Sequence, residues 1–161
     1  MEGSNIMDNI TGNRLYAENI TKDKERNIYC YSLANKNGKY IASIEYNYKE
    51  DKLIIIDVFD SSILNNLCTI FKFDFEVITS LLIIPLLEHL REDNYFTFDN
   101  FMQDSDLLCC SIYISDIAVC FVEYNDTRIN LTGREQIVQF YRDSHDDNTH
   151  KILHYIINQL T

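Results

Sequence analysis

The spacing of apolar and polar residues predicts strands in both halves of the chain. Strand-like alternation begins at Ile28, and Asn37-Gly38 then provides a tight turn, because Asn and Gly adopt positive φ at little cost. Leu53-Ile54-Ile55-Ile56 is apolar without alternation, which predicts a strand buried on both faces. Strands are predicted over residues 28–33, 40–48, 53–59, 107–114 and 117–124. The first three, joined by short turns, predict an antiparallel meander.

Between these groups of strands, residues 75–91 predict a helix. Its apolar side chains occur nearly all round, so the helix should be central and mostly buried. Asp74 is the expected N-cap, and Pro85 should kink or split the helix. Residues 61–68 are only weakly helical, residues 71–75 are compatible with a short strand, and the aromatic segment 95–101 is left unassigned.

Two shorter helices are predicted near the C-terminus. Thr132 and Glu135 have the spacing of a capping box, which opens a helix to about Arg142, and residues 149–160 form a last amphipathic helix. The order of elements lacks β-α-β alternation. It predicts an α+β fold with one antiparallel sheet of about five strands, a central buried helix and C-terminal helices.

The polar residues 1–26 are expected to form an irregular arm with a short helix near Leu15, and residues 27–161 to form a single domain. No internal repeat or linker is visible in the sequence.

The chain carries 14 basic and 25 acidic residues, a net charge of −11. Carboxylates repel phosphate backbones and anionic lipids, so direct binding of nucleic acid or membrane is not expected. The charge favours a basic protein partner, or serves only solubility. Five cysteines without a CxxC spacing, together with a polar start, predict a cytoplasmic protein without a disulfide framework.

Motifs for catalysis are absent from the sequence. Neither a glycine-rich phosphate loop nor a GxSxG nucleophile elbow occurs. His150 and His154 have the i, i+4 spacing of a helical metal pair, but a solvated or packed pair is the expectation, with no metal and no cofactor. Of the adjacent Cys109 and Cys110, one should face the core and the other the opposite side.

Two segments combine carboxylates with aromatic rings that could anchor a partner, residues 92–106 and 141–147. The alternative is a set of core rings beside a solvated rim. The predicted partner-binding residues are Glu92, Asp93, Tyr95, Phe96, Asp99, Asp104, Asp106, Tyr141, Asp143, Asp146 and Asp147. Replacing Asp146 and Asp147 by Lys is expected to slow association and reduce its salt dependence. A sheet edge that accepts a partner strand is a second route.

In size, acidity and mixed composition across its whole length, the chain resembles the immunity proteins of bacterial toxin–immunity systems, such as contact-dependent growth inhibition. The resemblance is one of overall type and carries over no functional residue. It implies a cognate basic toxin, such as a nuclease, one-to-one binding and a cytoplasmic location. The alternatives are a viral or pathogen host-interaction protein and a small enzyme of unrecognised family.

Overall fold

The computed structural model describes residues 14–125, 128–145 and 147–160. The chain divides into two compact units, one ending at Leu90 and the other beginning at Arg91. In each unit, four antiparallel strands pair in the order in which they occur along the chain, and two helices follow.

The bounds of the elements are similar in the two units. The first unit contains β1 (Leu15–Asp23), β2 (Ile28–Asn35), β3 (Tyr40–Asn47), β4 (Lys52–Val58), α1 (Ser61–Ile70) and most of α2 (Phe75–Asp93). The second contains β5 (Phe96–Asp104), β6 (Leu107–Ile114), β7 (Ile117–Asn125), β8 (Arg128–Thr132), α3 (Glu135–Ser144) and α4 (Asp147–Leu160).

The mixed α+β composition is confirmed, but the expected single sheet of about five strands is replaced by two sheets of four strands. Residues 15–23 were expected to belong to an irregular arm and instead form β1. Leu15 and Ala17 are buried and pair with β2, whereas the edge position of β1 lets its other side chains be polar. Residues 1–13 lie outside the described part of the chain.

Local expectations about the helices are met in part. Asp74 accepts a hydrogen bond from the Val77 amide at 3.3 Å and so caps α2. The prediction of a capping box at Thr132 is wrong, because this residue is the last of β8 and still pairs with β7. The N-cap of α3 is Arg134, whose side chain makes no capping hydrogen bond. Residues 71–74 form a turn rather than a strand.

The core of the first unit lies between one face of its sheet and α2. Leu33 and Ile41 on the sheet and Leu86 on α2 are completely buried. Pro85 does not split α2, which is helical throughout its 19 residues. The buried hydroxyl of Tyr31 donates to the Leu82 carbonyl at 2.9 Å. Leu82 lies in the helical turn before Pro85, which has no backbone N–H. Burial raises the pKa of Tyr31 well above its ordinary value.

The core of the second unit combines β6 and β7 with the two C-terminal helices. Ile112, Phe140 and Leu153 are at most 1% exposed. Cys110 is buried and Cys109 half-buried, which confirms that adjacent strand positions face opposite sides.

The two units share most of their irregularities, although the register shift between β3 and β4 has no counterpart between β7 and β8. β1 and β5 each carry a bulge at the same distance from the strand start, with left-handed Asn19 at φ 54° and Asn100 at φ 58°. β3 and β7 each insert one extra residue, Ile41 and Val119, at the matching point of the next pairing. The chain is therefore an internal duplication of a ββββαα unit.

The residues that the two units share lie mostly outside the core. The register makes these identical pairs equivalent: Asn19 and Asn100, Asp23 and Asp104, Cys30 and Cys109, Ser32 and Ser111, Glu45 and Glu123, Tyr46 and Tyr124, Asn47 and Asn125. Among them only Tyr46 is buried. Core positions such as Leu33 and Ile112 keep apolar character without identity, which hides the repeat in the sequence.

Candidate partner-binding surface

Strand β4 ends the sheet of the first unit and exposes apolar side chains on both of its faces. Ile54 is 57% exposed and Ile56 is 49% exposed. Ile55 lies opposite the buried Ile44 and so points to the core side, yet it is 40% exposed. No other strand in the described ranges pairs with the far side of β4, so a row of its backbone donors and acceptors is left for a partner.

This exposure overturns the expectation that β4 is buried on both faces. The run of β-branched residues does form a strand, as its side chains favour. The residues lie at the sheet edge, however, where a second layer does not cover them. The same apolar run therefore marks a surface rather than a core.

The other three sheet edges have features that discourage strand pairing. β1 and β5 are bent by bulges, in which Asn19 and Asn100 donate to tyrosine hydroxyls. β8 has only five residues, and its exposed Arg128 and Asn130 are polar. β4 also has a register shift, near Ile56, but carries no charge between its first residue and Asp57.

The C-terminal end of β4 is fixed by an N-cap that precedes α1. The Asp60 carboxylate accepts from the Ser62 amide at 3.0 Å and from its hydroxyl at 2.6 Å. Lys39 forms an ion pair with the same carboxylate at 2.9 Å. These hydrogen bonds, led by the Ser62 hydroxyl, lower the pKa of Asp60 to about 2. Phe59, beside the cap, is held in an exposed position.

The turn between α1 and α2 exposes two more rings of the first unit. The Phe73 amide donates to the Cys68 carbonyl at 3.0 Å and the Lys72 amide to Thr69 at 3.4 Å, the pattern of a Schellman motif. Lys72 and Phe73 both have positive φ, where a glycine is usual. The backbone thus holds Phe73 on the surface, with its ring 6.4 Å from that of Phe75.

All of the partner-binding residues predicted from the sequence belong to the second unit or to the C-terminal end of α2. Tyr95 is 89% exposed. The described carboxylates are exposed as well: Glu92, Asp93, Asp99, Asp104, Asp106 and Asp143. Asp143 accepts a hydrogen bond from Gln139 at 2.7 Å. Asp146 and the side chain of Asp147 lie outside the described residues.

Tyr141, which was expected to anchor a partner, lies in the core of the second unit. It is 2% exposed and meets Phe96 edge-on, with ring centroids 4.9 Å apart. Burial, reinforced by the nearby Cys120 and Cys110, raises its pKa. Phe96 is half-buried, so Tyr95 is the most exposed aromatic residue of this set.

Three clefts open on the described surface. A cleft of about 520 Å³ includes Glu123 and Arg128, one of about 270 Å³ includes Cys30 and Glu45, and one of about 210 Å³ includes His145 and His150. Among the described lining residues, neither carboxylate cleft contains a histidine and the histidine cleft contains no carboxylate. None of the three therefore combines these two common acid–base groups.

The two most buried thiols are poor candidates for nucleophiles. Burial raises the pKa of Cys110 to about 11 and that of Cys120 to about 12, so both remain protonated near neutral pH. A thiolate is the reactive form of cysteine. These residues act as small apolar core groups.

The described residues lack two further kinds of feature. They contain no cluster of three or more His, Cys, Asp and Glu side chains arranged to hold a metal ion. None of their helices has the length and apolar character needed to cross a membrane. Comparisons with family models, curated proteins and solved structures found no match for the chain.

Proposed function

We propose that this chain is a protein-binding inhibitor of the immunity-protein or antitoxin type. It binds a basic toxin, such as a nuclease, and blocks its active site. The observation that supports this proposal is the exposed apolar edge strand β4. A strand of this kind is an aggregation hazard unless a partner covers it, and proteins usually protect such edges.

The manner of binding follows from the chemistry of β4. A partner strand laid against it would gain backbone hydrogen bonds along Lys52–Val58, while Ile54 and Ile56 would contact the partner's apolar side chains. Strand addition relies on backbone groups for affinity and on alternate side chains for specificity. It requires no enzyme-like cleft on this chain.

The charge of the chain indicates the kind of partner. A net charge of −11 accelerates association with a basic protein and disfavours acidic competitors. Nucleases present cationic groups to the phosphate backbone, so an acidic protein can occupy the same surface. Exposed carboxylates such as Asp104 and Asp106 supply part of this attraction.

The experiment is capture of the partner from native cells with the tagged chain, including products of neighbouring genes, at low and moderate salt. We expect one basic protein at equal stoichiometry, held less tightly at higher salt. The purified partner is then assayed for nuclease activity and for growth arrest, with and without this chain. Inhibition by an equimolar amount is the expected result.

A matched pair of variants links this result to β4. Ile54 lies opposite Glu45, and Asn130 lies opposite the equivalent Glu123, so the two positions correspond in the two units. Ile54→Lys should abolish inhibition, whereas Asn130→Lys should retain it. A partner whose activity is unchanged by the chain would refute the inhibitor proposal, and equal inhibition by both variants would refute the role of β4.

A further inference from the structure

The histidines of α4 provide a second candidate site, which is independent of the proposed inhibitor function. His150 and His154 are one helical turn apart, and their Nε2 atoms lie 3.2 Å from each other. Their rings meet nearly edge-on, at 74° and 4.7 Å between centroids. The two nitrogens are thus neighbours on a face of α4 where His150 is exposed and His154 is half-buried.

This separation suits two ligands of a single metal ion. Metal–nitrogen bonds of about 2.0–2.1 Å place two tetrahedral ligands about 3.3 Å apart, and two right-angled ligands about 3.0 Å apart. The observed 3.2 Å lies between these values. Without a metal ion, two imidazole nitrogens at this distance are compatible only if one ring donates its N–H to the other.

Neighbouring rings brace both histidines in this arrangement. His150 contacts His145, with ring centroids 5.6 Å apart, and His145 stacks on the buried Tyr141 at 5.2 Å. On the other side, the rings of Tyr124 and His154 are nearly perpendicular, with their centroids 6.2 Å apart. Ligands held before the metal arrives lose less conformational freedom on binding.

We propose that His150 and His154 form a two-histidine chelate for a first-row divalent ion that favours imidazole, such as Zn²⁺, Ni²⁺ or Cu²⁺. His145 serves as a bracing ring and not as a ligand, since it stacks on Tyr141 and its Nδ1 lies 3.2 Å from the Tyr141 carbonyl. Two protein ligands leave the remaining coordination positions to water or to a donor group of another molecule. The net charge of −11 raises the local concentration of cations.

The test is titration of the full chain with Zn²⁺ and with Ni²⁺, followed by calorimetry and by thermal unfolding. We expect one ion per chain, a higher apparent Tm with metal, and weaker binding in acid, because histidine ligands must be unprotonated. His150→Ala and His154→Ala should each weaken binding on the order of tenfold or more, since losing even a supporting group around a metal costs about 10–100-fold.

Two control variants separate this site from other histidine contacts. His89→Ala removes the histidine of α2 and should bind one ion with nearly unchanged affinity. His145→Ala removes the bracing ring and should weaken binding, but less than the loss of either ligand. Co²⁺ absorption in the visible range, lost in His154→Ala, provides a spectroscopic check on folded protein. The assignment is overturned if the His150→Ala/His154→Ala double variant binds as tightly as the original chain, or if His145→Ala loses as much affinity as either single variant.

Discussion

The two units of this chain share one topology but differ most at their fourth strands. β4 in the first unit exposes Ile54, Ile55 and Ile56, whereas the equivalent β8 is shorter and places Asn130 and Thr132 at its surface. Helix α3 packs beside β7 and β8, and the core-side Ile129 and Leu131 of β8 are half-buried. A duplicated fold does not require an apolar fourth strand, so the apolar surface of β4 calls for an explanation beyond folding.

The largest expected effect comes from placing a lysine in β4, compared with a lysine at the equivalent position of β8. Ile54→Lys should weaken the partner complex by roughly 2 kcal/mol or more, about thirtyfold in Kd, because it removes an apolar contact and puts a hydrated charge in its place. Asn130→Lys at the equivalent position should change Kd little. Surface plasmon resonance with the captured partner measures both variants. Equal losses would mean that general charge, and not β4, controls affinity.

A smaller effect is expected from the β5–β6 turn of the second unit. Asp106→Lys should slow association several-fold at low salt and much less at high salt, because exposed charges act mainly through steering. Glu25→Lys, in the corresponding turn of the first unit, makes the same change in net charge. Stopped-flow association rates compare the two variants. If both slow association equally, overall charge rather than the predicted acidic segment sets the rate.

Stability provides a third comparison between the units. Tyr31 donates to Leu82 in the first unit, whereas the equivalent position in the second unit is Cys110. Tyr31→Phe should lower the free energy of unfolding by about 1 kcal/mol, since the buried Leu82 carbonyl loses the hydrogen bond from the Tyr31 hydroxyl. Urea denaturation measures the change, and Tyr16→Phe, at an exposed ring, is the control. No difference between the two variants would show that this hydrogen bond does not stabilise α2.

The smallest effect is the pH dependence of the cap before α1. The folded pKa of Asp60 is about 2, below its ordinary value of 3.8. The ionised carboxylate therefore contributes stability that is present above about pH 4 and is lost as the pH falls towards 2. Asp60→Asn keeps a capping side chain but removes the charge. Its Tm should lie slightly below that of the original chain at pH 7 and should converge with it near pH 2; a constant difference would contradict this role.

Sequence patterns predicted the elements that have two distinct environments. β2, β3, β6 and β7 show the expected alternation, and α2 is apolar nearly all round, with residues 81–87 buried. β1, β5 and β8 were missed, because edge strands have few buried positions and so show little alternation of apolar and polar residues. The duplication was missed because its identical residues are scattered, and only the strand register aligns them.

The candidate surface was predicted less well than the fold. Composition and charge led to Tyr95 and the acidic residues around it, which are exposed. They also led to Tyr141, which is buried. An aromatic residue beside carboxylates has the same sequence pattern whether its ring is exposed or buried. The run Leu53–Ile56 was visible but was assigned to a core, because an apolar strand is usually buried.

Hydrogen exchange of the backbone amides, with and without the captured partner, shows whether the partner pairs with β4. If a partner strand pairs with β4, exchange should slow within Lys52–Val58 and stay unchanged within Arg128–Thr132, because β4 gains new backbone hydrogen bonds and β8 does not. Protection confined to β8 or to the acidic residues of the second unit, with β4 unaffected, would contradict the account.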